Sequence, residues 1–227
     1  MAVESVRSPT IPERVLQELR RDLAQGRFAP GERVSVDRLA AEFDVSPLPV
    51  REALRVLLAE GRVAYSSHRG FRVTQLTLPD VEEIFLMCRL LEVEALRRGV
   101  PAMDDAAVER MRSLLERLQT LPGEAELWEQ VENHQNFHFV PIDNAGLPRV
   151  SQELRRLWDH TDHYRALYLF QDAQAHRILQ EEHVAIFEAC ANRDAPLATK
   201  LMKQHRLHAI RWLAQGLRRD EARSVGE

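Results

Sequence analysis

Two prolines directly ahead of an amphipathic run place the tightest constraint on this chain. They stand in "VSPLPVREALRVL", Val45 to Leu57. A proline inside a helix removes a backbone donor and collides with the preceding turn, but in the first turn the amides have no intrahelical partner and the loss costs nothing. With Ser46 as N-cap, Pro47 falls at the first helical position and Pro49 at the third, so the pair fixes where a helix begins. Behind them Val50, Ala53, Leu54, Leu57 and Leu58 form a buried stripe, and Arg51, Glu52 and Arg55 lie off it. The helix is expected to end near Glu60 and Gly61.

The flanking segments complete a small domain around that helix. "IPERVLQELRRDLAQG" puts Ile11, Val15, Leu16, Leu19 and Leu23 on one helical face after a Thr10 cap, and stops at Gly26. A turn at Pro30 and Gly31 leads to a short helix capped by Ser35 and carrying Leu39, Ala40 and Phe43. After the proline-led helix, "RVAYSSHRGFRVTQL" alternates short β-prone runs around a turn and predicts a hairpin. Three helices and a hairpin describe a winged helix-turn-helix over residues 1–75. Residues 76–80 are expected to be a linker. Residues 81–227 read as helices almost throughout, with helical patterns expected over 79–98, 104–121, 124–144, 148–170, 175–192 and 195–218. The expected fold class is mainly α, an N-terminal winged helix-turn-helix followed by an all-α helical bundle.

Charge divides in the same place. The whole chain carries a formal −4, yet residues 1–75 hold twelve arginines against ten carboxylates, a net +2 that leaves −6 for the remainder. That is the asymmetry nucleic-acid binding requires, in a weak form. The two cysteines, Cys88 and Cys190, sit singly in apolar helical patterns, which predicts reduced core thiols and no disulfide framework. The start lacks an apolar core of signal-peptide type and no apolar run reaches membrane-spanning length, so a soluble, cytoplasmic protein with no membrane partner is expected.

Four of the nine histidines are candidate metal ligands. "HQNFH" sets His134 and His138 at i and i+4 on one helical face, the spacing that lets two imidazoles share an ion. His183 and His205 each interrupt a helix whose neighbouring apolar positions face the bundle. Four converging imidazoles would suit Zn, Ni or another first-row divalent ion. The same pattern is compatible with histidines packed without metal, because spacing alone does not show convergence. His160, His163, His176 and His208 are read as surface or supporting histidines.

The run "PGERVSVDRLAAEFDVSPLPVREALRVLLAEGRVAYSSHRGFRV" resembles the GntR superfamily of bacterial transcription regulators. Its "PVREAL" followed by "EG" carries the resemblance, with Pro30, Gly31, Ser35, Leu39, Ala40 and Gly70. The second domain is similar to the FCD-type effector domain of the FadR subfamily, so the resemblance covers nearly the whole chain. It implies that Ser46 and the first-turn amides approach a phosphate and that Leu48, Arg51 and Arg38 face the DNA, with His68, Arg69 and Gly70 as the wing tip. It also implies a metal held by His134, His138, His183 and His205, where His134 replaces the family's usual acidic residue. Arg89 and, less directly, Arg165 would face an effector cavity, with Glu92 as a possible protein partner for Arg89.

The chain departs from that family at informative positions. Pro47 and Leu48 replace an arginine and a small polar residue, so a groove-facing guanidinium is missing and Leu48 is left to pack on a thymine methyl. Val36 stands for an acidic residue, and Asp44 stands for a glycine and adds negative charge near the expected phosphate path.

These readings imply a homodimeric regulator, a repressor by family habit, that binds a palindromic operator in double-stranded DNA. Its helical domain would take a small carboxylate metabolite as effector at the metal. A metal-sensing regulator is one alternative. A metal-dependent enzyme with a vestigial DNA-binding domain is another, although no HExxH, nucleophile motif or phosphate-binding glycine loop is present.

Overall fold

A computed structural model of the chain describes residues 9–119, 127–170 and 172–225. The chain divides into two compact units, Met1–Gln75 and Leu76–Glu227.

In the first unit α1 (Ile11–Ala24) starts at a Thr10–Glu13 capping box, α2 (Val36–Glu42) at a Ser35 cap, and α3 (Pro47–Ala59) at the two prolines. Short β1 (Arg33–Val34) joins β2 (Val63–Ser66) and β3 (Gly70–Val73) in an antiparallel sheet of order β1-β3-β2. Ser66 pairs with Gly70, so Ser67, His68 and Arg69 form the hairpin tip, and Gly70 takes the positive φ of 71° that the turn requires. Leu19, Leu39, Val50, Leu54, Leu57 and Val63 fill one core. Between α2 and α3 the chain turns through Asp44 at φ 51°. This left-handed conformation explains why glycine suits the position, and aspartate is among the few other residues that adopt it without large cost.

In the second unit α4 (Leu78–Ala102), α5 (Asp105–Leu118), α6 (Leu127–Asp143), α7 (Pro148–Arg165), α8 (Ala173–Ala191) and α9 (Ala195–Val225) form the helical bundle. Its apolar side chains form two clusters, one around Val81, Phe139 and Trp158 and one around Leu96, Met111 and Phe137. Residues 76–80 fall at the start of the second unit. Thr77 and Asp80 form a capping box that starts α4 at Leu78, and the Leu76 N–H donates to the Tyr164 hydroxyl at 2.7 Å. The helix expected to run unbroken over 148–170 is α-helical to Arg165 and then forms a π-helical turn over Ala166–Phe170. Such a turn admits one extra residue, re-aims the side chains beyond it and recurs at functional positions. The helix ends expected within 120–126 lie outside the described residues.

Two glycines set helix spacing. A side chain at Gly99 would overlap the Pro141 carbonyl of α6, and one at Gly216 would overlap the Tyr168 ring. Gly99→Ala is therefore expected to force α4 and α6 apart and destabilise the bundle by about 1–3 kcal/mol, read as a lower urea midpoint.

Candidate nucleic-acid interface and candidate metal centre

The outward face of α3 presents Leu48, Arg51, Glu52 and Arg55, all exposed, with Leu48 at 62%. Arg38 on α2 and His68 and Arg69 at the hairpin tip are exposed as well. Four other arginines of this unit are held by carboxylates: Arg20 and Arg62 by Glu60, Arg21 by Glu18, and Arg27 by Asp22 and Glu42. Among the described residues the guanidiniums of Arg38, Arg51, Arg55 and Arg69 make no hydrogen bond or ion pair. Arg51 does not pair with a carboxylate of its own helix.

Ser46 differs from expectation in one respect. It has the extended backbone of an N-cap, but its hydroxyl makes no cap hydrogen bond. An N-cap side chain accepts from the second or third helical amide, and the third here is Pro49, which has none. Pro47 lacks an amide too, so the unpartnered N–H groups of this turn reduce to those of Ser46 and Leu48. The free hydroxyl and two amides make a smaller anion-binding end than most helices offer.

The histidines converge. His134 and His138 from α6, His183 from α8 and His205 from α9 are all buried, and each offers a ring nitrogen within 4.8 Å of the others. The Nε2 atoms of His138 and His183 stand 3.2 Å apart. His134 Nε2, His138 Nδ1 and His183 Nδ1 have no hydrogen-bond partner, an arrangement rare for buried polar atoms. Burial holds His134, His138 and His183 well below the ordinary histidine value, and lowers His205 against the opposing pull of Glu182. The four rings are therefore neutral at neutral pH, the state in which imidazole ligates a metal. Glu182 accepts from His205 Nδ1 at 2.9 Å, which fixes the tautomer and leaves Nε2 as the lone-pair atom. Glu182 also bonds to His208, so that histidine supports the cluster from outside.

Beside the rings lies a buried network that spacing did not reveal. Arg206 pairs with Glu92 through two hydrogen bonds, at 2.7 and 3.1 Å, and the Trp158 indole N–H donates to the same carboxylate. Arg165 pairs with Asp162 at 2.7 Å and donates to the Trp158 carbonyl, while its Nε has no partner. Both guanidiniums lie over the Trp158 ring, at 3.9 Å for Arg206 and 4.3 Å for Arg165. That ring is 5.5 Å from His134 and 5.3 Å from His138, and Phe170, at the end of the π turn, meets His134 edge-on.

The structure does not bring Arg89 to this cluster. It is exposed on α4, on the wall of a cleft of about 130 Å³, and the Glu92 carboxylate expected as its possible partner belongs to Arg206. Arg206 was missed because it follows a histidine on a helix rich in basic residues. The only signal was its position directly after His205.

A winged helix-turn-helix with unpaired arginines, followed by a helical unit with a buried polar cluster, defines a helix-turn-helix transcription regulator. Residues 12–73 match the family described as bacterial regulatory proteins, gntR family, and residues 83–208 match the FCD domain. The chain belongs to the GntR family and carries an FCD domain. It is 32% identical to the HTH-type transcriptional regulator BphR of Paraburkholderia xenovorans, over 89% of this chain and 84% of that one. It is 27% identical to the HTH-type transcriptional repressor GlaR of Escherichia coli, over 88% and 94%. Its fold matches that of E. coli McbR/YncC with a TM-score of 0.78 at 20% identity, covering 92% of this chain and 99% of the other. The protein is thus a DNA-binding regulator, and the enzyme alternative is closed by its family. No helix of the described residues is long and apolar enough to cross a membrane.

Neutral burial of the histidines has a measurable consequence. Their folded pKa values lie below the ordinary 6.5, so the unfolded chain takes up protons first and stability falls as the pH drops below that value. With metal withheld by a chelator, each histidine that protonates only on unfolding steepens the loss by about 1.4 kcal/mol per pH unit. His134→Phe is expected to give a shallower decline of the melting temperature between neutral pH and pH 5.

Proposed function

We propose that the protein is a homodimeric, cytoplasmic repressor that binds a palindromic operator through α3 and the wing, and that a small organic acid, bound at a histidine-held metal, alters its DNA affinity. The observation that carries this reading is the cluster of four neutral imidazoles, three with unpartnered nitrogens, beside a buried arginine whose Nε is also unpartnered.

The donor set fits a divalent ion. Four nitrogen ligands favour Zn or Ni over oxygen-preferring ions such as Mn. A bound ion would supply Lewis acidity toward a carboxylate oxygen. The charges of Arg206 and Glu92 cancel, as do those of Arg165 and Asp162, and no carboxylate ligates among the four histidines. Glu182 alone, hydrogen-bonded to His205, sets one negative charge against a divalent ion, so an anionic effector would complete the balance. Arg165 is the side chain suited to receive it, because its Nε points no bond elsewhere.

On the DNA side Arg51, Arg38, Ser46 and Leu48 would meet the major groove, with Arg51 on a base edge or phosphate and Leu48 against a thymine methyl. His68, Arg69 and Gly70 would follow the backbone from the wing. Two-fold symmetry would let two modest half-sites combine. Repression is supported by GlaR and by RspR of E. coli, both described as transcriptional repressors.

The deciding experiment selects bound fragments from bacterial genomic DNA and sequences them, with Arg51→Ala as control. A short palindrome is expected, with affinity reduced about 10–100-fold in the variant. No enrichment at any salt or metal condition would reject the operator reading. A retained metal that resists dialysis would support an effector anchor, whereas ready exchange would favour a metal sensor. Glu182→Gln is expected to weaken Zn binding about 10–100-fold in chelator competition while leaving the fold intact.

A further inference from the structure

The outward face of α3 carries one carboxylate among its arginines. Glu52 follows Leu48 by four residues and precedes Arg55 by three, so these side chains share one side of the helix, with Arg51 beside them. All four are exposed. A glutamate three residues ahead of an arginine is well placed to pair with it. Elsewhere the chain closes that pair at Glu18 with Arg21, Glu94 with Arg97, Glu109 with Arg112 and Glu153 with Arg156. Glu52 and Arg55 leave it open. Among the described residues the Glu52 carboxylate makes no hydrogen bond or ion pair.

An open carboxylate is costly on a face that meets a polyanion, because the phosphates repel it and the groove strips its water. The cost is offset only where a base edge donates to it. An ionised carboxylate accepts and never donates. In the major groove guanine shows two acceptors and thymine an acceptor and a methyl group, while adenine sets an acceptor directly beside its amino group. Cytosine alone presents a donor, the N4 amino group, with no acceptor of its own beside it.

We propose that Glu52 is a specificity-determining residue that accepts a hydrogen bond from the N4 amino group of a cytosine in each half-site, a role that rests on the reading above in which α3 enters the major groove. Pro47 and Leu48 bring no polar group to the start of this face, so its polar readout falls to Arg51, Glu52 and Arg55. Leu48 stands about 6 Å from Glu52 along the helix axis, at 1.5 Å per residue. That distance is close to two base-pair steps of about 3.4 Å. The cytosine is therefore expected within about two base pairs of the thymine on which Leu48 packs. Arg51 and Arg55, left open by the same missing ion pair, are available to the flanking phosphates. The carboxylate also works by exclusion, since guanine at this position would set two acceptors against it.

Selection and sequencing of bound DNA fragments, run in parallel for the full-length wild type, Glu52→Ala and Glu52→Gln, tests this. Wild-type half-sites are expected to hold a fixed cytosine, and replacing that base pair is expected to weaken binding about tenfold or more. Glu52→Ala is expected to bind the original and the replaced duplex alike, and to bind unrelated DNA more tightly because a repelling charge is gone. Glu52→Gln is expected to move the preference at that one pair toward adenine, whose N6 and N7 match a carboxamide. Circular dichroism checks that helix content is unchanged. If Glu52→Ala gains affinity equally on every duplex and keeps the wild-type base preferences, the carboxylate reads no base and the inference is overturned, while the operator reading stands. A wild type that enriches no palindrome would overturn both.

Discussion

Four imidazoles and two guanidiniums share the interior of one helical bundle, and their desolvation governs the rest of that unit. Charged imidazoles could not be tolerated beside Arg165 and Arg206, so burial keeps the rings neutral. Each guanidinium is instead matched to a buried carboxylate, Arg206 to Glu92 and Arg165 to Asp162, and each lies over the Trp158 ring. Trp158 thus joins α4 and α9 to the histidine cluster, because its indole N–H reaches Glu92 from α7 and its ring meets His134 and His138. Removing any one partner would leave a buried charge uncompensated, which ties the bundle's stability to the arrangement around the pocket.

The helix-turn-helix unit solves a different problem, that of starting a helix at a defined place. Pro47 and Pro49 set the start of α3 without a side-chain cap, and they remove two of the amides that would otherwise point outward. The Ser46 hydroxyl is left free by the same substitution of proline for a capping amide. What this unit lacks in helix-end donors it offers in unpaired arginines on α2, α3 and the hairpin tip.

Much of the local structure was legible because its causes are local. Thr10 and Ser35 act as caps where their types and positions indicate, and the hairpin around His68 follows from alternation and a glycine at positive φ. The π turn after Arg165 was not legible, since nothing in "ALYLF" forbids an α-helix and the deviation depends on packing. The outward position of Arg89 and the inward position of Glu92 were likewise hidden. On a helix covered over much of its circumference, a charge can face either way, and only the partner across the bundle decides.

The sequence by itself determined the order of elements, the division into two units, the face that α3 turns outward and the i, i+4 histidine pair, because these depend on propensity, capping and period along a single segment. Tertiary structure decided that His183 and His205 meet that pair, that Arg206 rather than Arg89 takes the buried Glu92 carboxylate, and that Arg165 keeps a free Nε. Those facts depend on the packing of α4, α6, α7, α8 and α9, and contacts between helices far apart in sequence are set by shape and desolvation rather than by any pattern within one helix.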